Sequence, residues 1–269
     1  MLQIPQAGRL SRGRAVVNLI GVEPGEQVQA FVSVKEFLDD HYIIMATRKG
    51  MVKRTALSAY GNPRKGGIFA IEIVEGDELI EAKVTNGESD IILGTRMGKS
   101  IRFHESDARP MGRKTRGVRG IRLKDDDDRV VGMIVVRREG GTVLVVTDKG
   151  FGKRTDVLQY RVQHRGGSGI ITLKATERVG KLVALMEVVD KDDLMIISDT
   201  GVMIRLPVAD IRPTGRATQG VKVIRLDDKA QISSISRVME EDEDENADAD
   251  TDLDETATTN GSAEGAEDS

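Results

Sequence analysis

The sequence contains no cysteine and no tryptophan, and aromatic residues make up only 3% of its 269 residues. The absence of cysteine excludes disulfides and thiolate zinc sites. The few aromatic side chains leave little stacking surface for single-stranded nucleic acid. We find no signal peptide and no apolar run long enough to span a bilayer. These features predict a soluble, intracellular protein.

Acidic and basic residues are segregated along the chain, although the formal net charge is only −4. Residues 240–269 contain 14 Asp and Glu and no Lys or Arg, so residues 1–239 carry 30 acidic and 40 basic side chains, a net charge of +10. A basic body with an acidic tail predicts a polyanionic partner; a solvated basic surface with a solubilising tail is the alternative. The tail has too few apolar residues to offset its ordering entropy, so we predict that it is disordered.

A basic, glycine-rich loop that leads into alternating apolar residues occurs five times, and we call it the anchor loop. The anchor glycines are Gly13, Gly67, Gly117, Gly169 and Gly220. They lie 54, 50, 52 and 51 residues apart along the chain. A repeat period near fifty residues is typical of a propeller or a related array.

Each complete repeat contains four candidate strands. The first repeat has a hairpin over residues 42–55 with Gly50 in its turn, then an anchor loop, an alternating strand Ile68–Val74, and a last strand over residues 78–84. Another alternating strand, Val28–Val34, belongs to a leading partial repeat. Because four strands make a small sheet, we predict that each repeat is one blade. The predicted fold is all-β: a propeller-like array of one partial and four complete repeats in residues 1–239, followed by a disordered acidic tail, 240–269.

Basic residues recur in the anchor loops at the same place in successive repeats. Backbone amides beside glycine can approach a phosphate closely, and Arg or Lys supplies charge and donors. The candidate DNA-binding residues of this set are Arg12, Arg14, Arg64, Lys65, Arg113, Lys114, Arg116, Arg165 and Arg216. The alternative is an exposed turn that needs glycine for its backbone angles; five basic copies favour a phosphate-binding rim.

A second set of basic residues lies in the hairpins. The hairpin arginines are Arg54, Arg102, Arg154 and Arg205, and each follows its turn glycine by four residues. They would stand at equivalent points around the array, so we also count them as candidate DNA-binding residues. An arginine that supports its own blade through a carboxylate or a carbonyl is an equally good interpretation.

The sequence offers no element for direct base recognition and no catalytic pattern. Neither a recognition helix nor a zinc finger is evident, which favours binding to the DNA backbone with deformation of the duplex. His41, His104 and His164 lie in different repeats without a Ser/Asp pattern nearby. The run Asp125–Asp128 fits a solvated turn better than a metal site. We therefore predict no catalytic residue, no metal site and no P-loop in this chain.

Several motifs at consistent spacing resemble a known family, over nearly all of residues 2–239. They are Gly117-Val118-Arg119-Gly120-Ile121, Gly150-Phe151-Gly152-Lys153-Arg154-Thr155, Thr218-Gln219-Gly220-Val221 and the opening Arg12-Gly13-Arg14. The family is the C-terminal domain of the bacterial DNA gyrase A subunit, with the equivalent domain of topoisomerase IV as the sister alternative.

The resemblance implies a β-pinwheel of six blades that wraps duplex DNA non-specifically around its basic outer edge. It implies a place in an ATP-dependent type II topoisomerase that introduces negative supercoils. The implied partners are the gyrase B subunit together with the remainder of the A subunit. It further implies a bacterial cytoplasmic, nucleoid-associated location and no cofactor in this chain, since ATP and Mg act elsewhere in the holoenzyme.

The family's Gln-Arg-Arg-Gly-Gly-x-Gly box belongs to the first blade. Here only Gln163–Gly169 resembles it, in a later repeat. We therefore expect a fragment of the longer protein that lacks the catalytic tyrosine and is not an enzyme on its own. Two other classes stay open: a propeller-like platform for protein interactions, and an enzyme with a polar cluster in a central channel.

Overall fold

The computed structural model describes residues 25–64, 67–137, 140–227 and 230–238, and this part of the chain is all-β. The first anchor loop and the acidic tail lie outside the described residues. The strands are β1 (Tyr42–Thr47), β2 (Met51–Ala56), β3 (Leu79–Thr85), β4 (Asp90–Thr95), β5 (Lys99–His104), β6 (Val118–Arg119), β7 (Val130–Val135), β8 (Thr142–Thr147), β9 (Phe151–Asp156), β10 (Ile170–Ile171), β11 (Leu182–Val188), β12 (Asp193–Ser198), β13 (Met203–Pro207), β14 (Val221–Lys222) and β15 (Ile232–Val238).

Short 3-10 helices follow the hairpins, at Leu57–Tyr60, Glu105–Asp107, Val157–Gln159 and Val208–Asp210. No helix in the described ranges has the length and apolar character needed to cross a membrane.

The four predicted hairpins are confirmed. They are the antiparallel pairs β1–β2, β4–β5, β8–β9 and β12–β13, with in-register partners such as Tyr42 and Ala56. Their turn glycines Gly50, Gly98, Gly150 and Gly201 have φ between 79° and 85°. Glycine adopts this left-handed conformation without steric cost, which explains its position at the end of each turn.

The composition of each blade differs from the prediction. The strand orders are β3-β1-β2-β6, β10-β5-β4-β7, β11-β8-β9-β14 and β13-β12-β15. The short strands after the anchor glycines Gly117, Gly169 and Gly220 therefore pair with the hairpin of the preceding repeat; Val118, for example, lies opposite Val52. The prediction that one repeat forms one blade is wrong, because the third strand of each of these repeats pairs with the neighbouring blade. We call β6, β10 and β14 the crossing strands.

Two predicted strands, Val28–Val34 and Ile68–Val74, are not strands in the structure. Ile68–Val74 is the counterpart of a crossing strand, and the described residues contain no hairpin before β1 for it to pair with. Phe69 is accordingly exposed. Alternating apolar residues favour a strand, but the ladder needs a partner that supplies its hydrogen bonds.

The hydrophobic cores lie between successive sheets rather than within one sheet. Ile44, Leu93 and Met133 belong to the core between the first and second sheets, and Val145 and Leu194 belong to the next two cores along the array. Strands β3, β7, β11 and β15 contact one another in series. These strands form the inner edge of the array, so the crossing strands, at the other side of each sheet, form its outer edge.

Candidate nucleic-acid interface

The anchor glycines allow each crossing strand to lie directly against the preceding hairpin. Gly117, Gly169 and Gly220 have φ of 86°, 68° and 77°. A Cβ atom at Gly220 would lie 2.6 Å from the carbonyl oxygen of Gly152, and one at Gly117 or Gly169 would overlap a hairpin carbonyl still more closely. Glycine is needed here both for its φ and for this close approach.

The hairpin arginines connect neighbouring blades. Arg102 donates from Nε to Asp90 Oδ2 at 2.9 Å, and its Nη2 lies 2.7 Å from the same oxygen. Its Nη1 donates to the carbonyl oxygens of Val157 and Tyr160, at 3.0 and 3.2 Å, in the 3-10 turn of the next repeat. The guanidinium thus joins its own blade to the following one.

The same arrangement recurs at the neighbouring positions. Arg154 donates to Asp190 and to the carbonyl of Ile211, and it is buried. Arg54 is also buried, with Nη1 3.6 Å from Glu105 Oε2. These contacts correct the assignment of Arg54, Arg102 and Arg154 to the DNA-binding set, because guanidinium groups packed between blades are not presented to a duplex.

Arg205, in the last hairpin, differs from the other three. It pairs with Asp193 of its own blade at 2.6 Å, and its side chain is 62% exposed. No described repeat follows it, so the contacts to a next repeat are not made. Arg205 therefore keeps its place among the accessible candidates.

Two anchor-loop arginines bind the crossing strand of the repeat before them. Arg165 donates to the carbonyl oxygens of Asp107 at 2.8 Å and Arg119 at 3.1 Å. Arg216 donates in the same way to the carbonyl of Ile171. Both side chains are half-buried, so each anchors its loop while leaving part of the guanidinium at the surface.

The other anchor-loop candidates have varied surroundings. Arg116 pairs with Glu72 at 2.8 Å and stays exposed. The Lys114 ammonium lies 5.7 Å from the centre of the Phe69 ring, and Arg64 is exposed. Arg113 is half-buried. The remaining members of the set, Arg12, Arg14 and Lys65, lie outside the described residues.

The structure adds a third set of cations that the sequence analysis missed. Arg122, Lys174 and Arg225 are exposed at equivalent positions just after the crossing strands. The amide of Arg122 donates to the Gly167 carbonyl at 2.8 Å, and that of Lys174 to the Thr218 carbonyl at 3.1 Å, so each lies against the next anchor loop. Their spacing of 52 and 51 residues, equal to the repeat period, is the signal that could have found them.

Two of the crossing strands also present a basic residue to solvent, Arg119 and Lys222. Together with the third set and the accessible anchor-loop cations, they give a basic outer edge. Cations that recur once per repeat along one edge suit a polyanion with regularly spaced charges.

Several buried and cavity-lining polar groups have partners within the fold. The Tyr160 hydroxyl lies 2.7 Å from Thr172 Oγ1 in the interior, and burial raises its pKa. The inner strands line an open cavity of about 550 Å³, in which the charged lining residues Glu81 and Lys83 pair with each other at 2.7 Å. No group of His, Asp and Glu within the described ranges has the arrangement of a metal site.

Comparison with known sequences identifies the family. The model of the DNA gyrase C-terminal domain, a beta-propeller, matches four segments, 41–86, 89–137, 141–188 and 192–239. The DNA gyrase A subunit of Staphylococcus aureus strain NCTC 8325 is 44% identical over 241 residues, and strain MRSA252 gives the same value. The alignment covers 89% of this chain but only 27% of that protein, so the chain spans about a quarter of the relatives it matches.

Solved structures agree on the fold. The C-terminal domain of DNA topoisomerase IV superposes with a TM-score of 0.78 at 23% identity, covering 84% of this chain and 71% of that one. A DNA gyrase A C-terminal domain gives a TM-score of 0.74 at 23% identity, covering 84% and 75%. With four family segments matched in tandem over more than half of its length, the chain belongs to the DNA gyrase C-terminal domain family.

Proposed function

We propose that this chain binds duplex DNA without sequence preference and wraps it along the outer edge of the array. The observation that most directly supports this proposal is an exposed cation just after the crossing strand in three successive repeats, at Arg122, Lys174 and Arg225. Each is one repeat from the next, so the charges recur regularly along the edge. A duplex carries one charge per ~1.7 Å of axis, and cations spaced along a curve can hold it through phosphate contacts alone.

The anchor-loop residues Arg116, Arg165 and Arg216, together with exposed Lys114 and Arg64, complete the proposed interface. Backbone amides beside the anchor glycines supply further donors for phosphate oxygens. Because such contacts do not read base edges, affinity should depend little on DNA sequence.

Charge reversal tests this interface. Removing one phosphate contact should reduce the slope of log affinity against log salt by about 0.9, so Arg122→Glu/Lys174→Glu/Arg225→Glu should reduce it by nearly three times that amount. Lys191→Glu is the control, because Lys191 is exposed but lies in the turn before β12, away from the crossing strands. Compared with Arg225→Glu, it makes the same change in net charge. Equal effects of these two single variants on affinity would contradict an outer-edge interface.

In the longer protein we propose that the domain wraps DNA for an ATP-dependent type II topoisomerase that introduces negative supercoils. Its partners there would be the gyrase B subunit together with the rest of the A subunit. ATP and Mg would act in those other parts, in the bacterial cytoplasm at the nucleoid. The equivalent role in topoisomerase IV is the alternative.

The expected behaviour of the isolated chain follows from that proposal. It should bind and bend duplex DNA in circularisation assays, but it should neither cleave DNA nor supercoil it when ATP is added. Cleavage or supercoiling by the purified chain would contradict the assignment of those steps to other parts of the enzyme.

A further inference from the structure

Two lysines are fully buried in hairpins, although lysine is rarely buried without a partner. Lys53 lies in β2, and its ammonium donates to the carbonyl oxygen of Ala70 at 2.6 Å and to that of Arg113. Ala70 follows the second anchor glycine, and Arg113 lies in the anchor loop of the next repeat. One ammonium group therefore holds two successive copies of the basic loop.

Lys153 occupies the equivalent position in β9. Its ammonium donates to the carbonyl oxygens of Gly215, at 2.7 Å, and Arg216. Both carbonyls belong to the last anchor loop. The loop backbone is thus held from beneath, at the residue whose guanidinium we place in the interface.

The second blade shows the same hairpin position without a lysine. In the second blade the equivalent position is Ile101, which is fully buried and carries no donor. The anchor loop packed on that blade contains the half-buried Gly166 and Gly167, and a backbone bond of 2.6 Å links Gly166 to Gly120. Two of the three blades that receive a crossing strand therefore use an ammonium at this point, and one does not.

We propose that Lys53 and Lys153 are positioning residues for DNA binding: by holding carbonyl groups of the anchor loops inward, they fix the loops in the conformation that meets phosphate. The inference rests on the proposed function. It assigns a role to two interior cations that themselves never touch DNA.

The ammonium groups have few charged neighbours. Arg113 faces Lys53 and Arg216 faces Lys153, and the Tyr60 hydroxyl lies 3.3 Å from the Ala70 carbonyl that Lys53 also uses. Burial, followed by the charge of the facing arginine, lowers the pKa of each lysine to about 8. Each lysine therefore loses its proton within a pH range that the fold can tolerate, and this couples the opening of its loop to pH.

The first test measures the loops without DNA. Lys53→Met and Lys153→Met keep the length of the apolar stem but remove the donor, and Ile101→Met is the matched control. At pH 7, amide hydrogen exchange of residues 114–117 should accelerate about tenfold in Lys53→Met, the effect of losing one hydrogen bond to a charged group. Residues 217–220 should respond equally in Lys153→Met, and residues 165–169 should not change in either variant. Unchanged exchange in folded variants would overturn the proposal.

The second test uses the unmodified chain and does not depend on whether the variants fold. An opened loop exposes its lysine, which then regains its ordinary pKa, so the protection factors of residues 114–117 and 217–220 should rise as the pH rises from 7 to 9.5, while those of residues 165–169 stay constant. Affinity for a 40-base-pair duplex should follow the loop protection over the same range, and Lys53→Met/Lys153→Met should show a flatter pH profile. A pH effect on the loops without any duplex binding would leave the positioning role intact and refute the DNA function. A uniform pH response of all three loops would refute the positioning role.

Discussion

The hairpin arginines allow one interaction to be compared at two levels of burial within the same chain. Arg102 makes hydrogen bonds to a carboxylate of its own blade and to two carbonyls of the next, and its side chain is 14% exposed. Arg205 occupies the equivalent position in the last hairpin and makes one ion pair at 62% exposure. We consider the substitution of each arginine by methionine, which keeps the apolar stem and removes the charge.

The expected costs differ severalfold. Arg102→Met leaves Asp90, itself 18% exposed, without its cation, and it leaves the Val157 and Tyr160 carbonyls without their donor. Removing one partner of a buried charge pair costs about 3–5 kcal/mol. Because Arg102 is not completely buried, we expect the lower end, ~3 kcal/mol. Arg205→Met removes an exposed pair, for which the usual cost is about 0–1 kcal/mol.

Urea unfolding followed by far-UV circular dichroism suits this chain, because tryptophan is absent. The midpoint should shift strongly for Arg102→Met and little for Arg205→Met, with unchanged m-values showing that the difference is one of stability. Tyrosine fluorescence should give coincident transitions if unfolding is two-state. Equal losses for the two variants would refute the view that contacts to the next repeat dominate the role of these arginines.

Three further features of the array lead to testable expectations. Gly98→Ala should be strongly destabilising because its Cβ would overlap the Leu173 carbonyl. Gly201→Ala, with no atom within 4 Å of its Cβ, should cost only the φ strain of about 1 kcal/mol. Thermal unfolding of both variants measures the two costs, and equal costs would contradict the overlap argument. Outward-facing amides of β13 should exchange faster than those of β5 in hydrogen-exchange mass spectrometry, since no described crossing strand covers β13; equal protection would show that another segment does. The free energy of unfolding should rise by about 2 kcal/mol between pH 7.5 and 9.5 for each buried lysine, because the unfolded chain, with the ordinary lysine pKa, then binds more protons than the native state. In urea titrations at the two pH values, Lys153→Met should lose the ~2 kcal/mol rise that belongs to Lys153. An unchanged dependence of its stability on pH would refute this linkage.

The hairpins could be predicted from the sequence because their signals are local. A short polar turn that ends in Gly50 or Gly98, between two runs of strand-forming residues, predicts both strands of the hairpin. The blade composition could not be predicted in the same way. The crossing strands are two residues long, and the alternating pattern around Val118 is compatible with either neighbouring hairpin. The choice depends on non-local packing, in which Gly117 must lie against the Val52 carbonyl.

The candidate DNA-binding residues could be predicted only in part, because the burial of a side chain also depends on non-local packing. Regular spacing identified the hairpin arginines as a set, but spacing carries no information about burial. Whether such an arginine is interior depends on the following repeat, as the contrast between Arg154 and Arg205 shows. The cations after the crossing strands have equally regular spacing. They were missed because they lie beyond the glycine-rich motif, and their exposure is set by the crossing of the strand before them.

The last hairpin shows how much a following repeat contributes. Val202 and Met203 are 51% and 55% exposed, whereas Val52, the equivalent of Met203 in the first hairpin, is fully buried beside Val118 of the crossing strand and in the core shared with the second sheet. Burial of a side chain of this size is worth about 1.5–3 kcal/mol, so a following repeat stabilises the preceding blade substantially.

The crossing strand also determines where charge is displayed. The same segment that covers Val52 carries Arg119 and leads into Arg122 at the outer edge. Coupling between blades and presentation of cations therefore depend on one short stretch of chain per repeat. Loosening that stretch should move the cations along with the blade contacts, whereas replacing an exposed cation alone should leave the blades intact. The DNA affinity of a glycine variant thus reports on geometry, and that of a cation variant reports on charge.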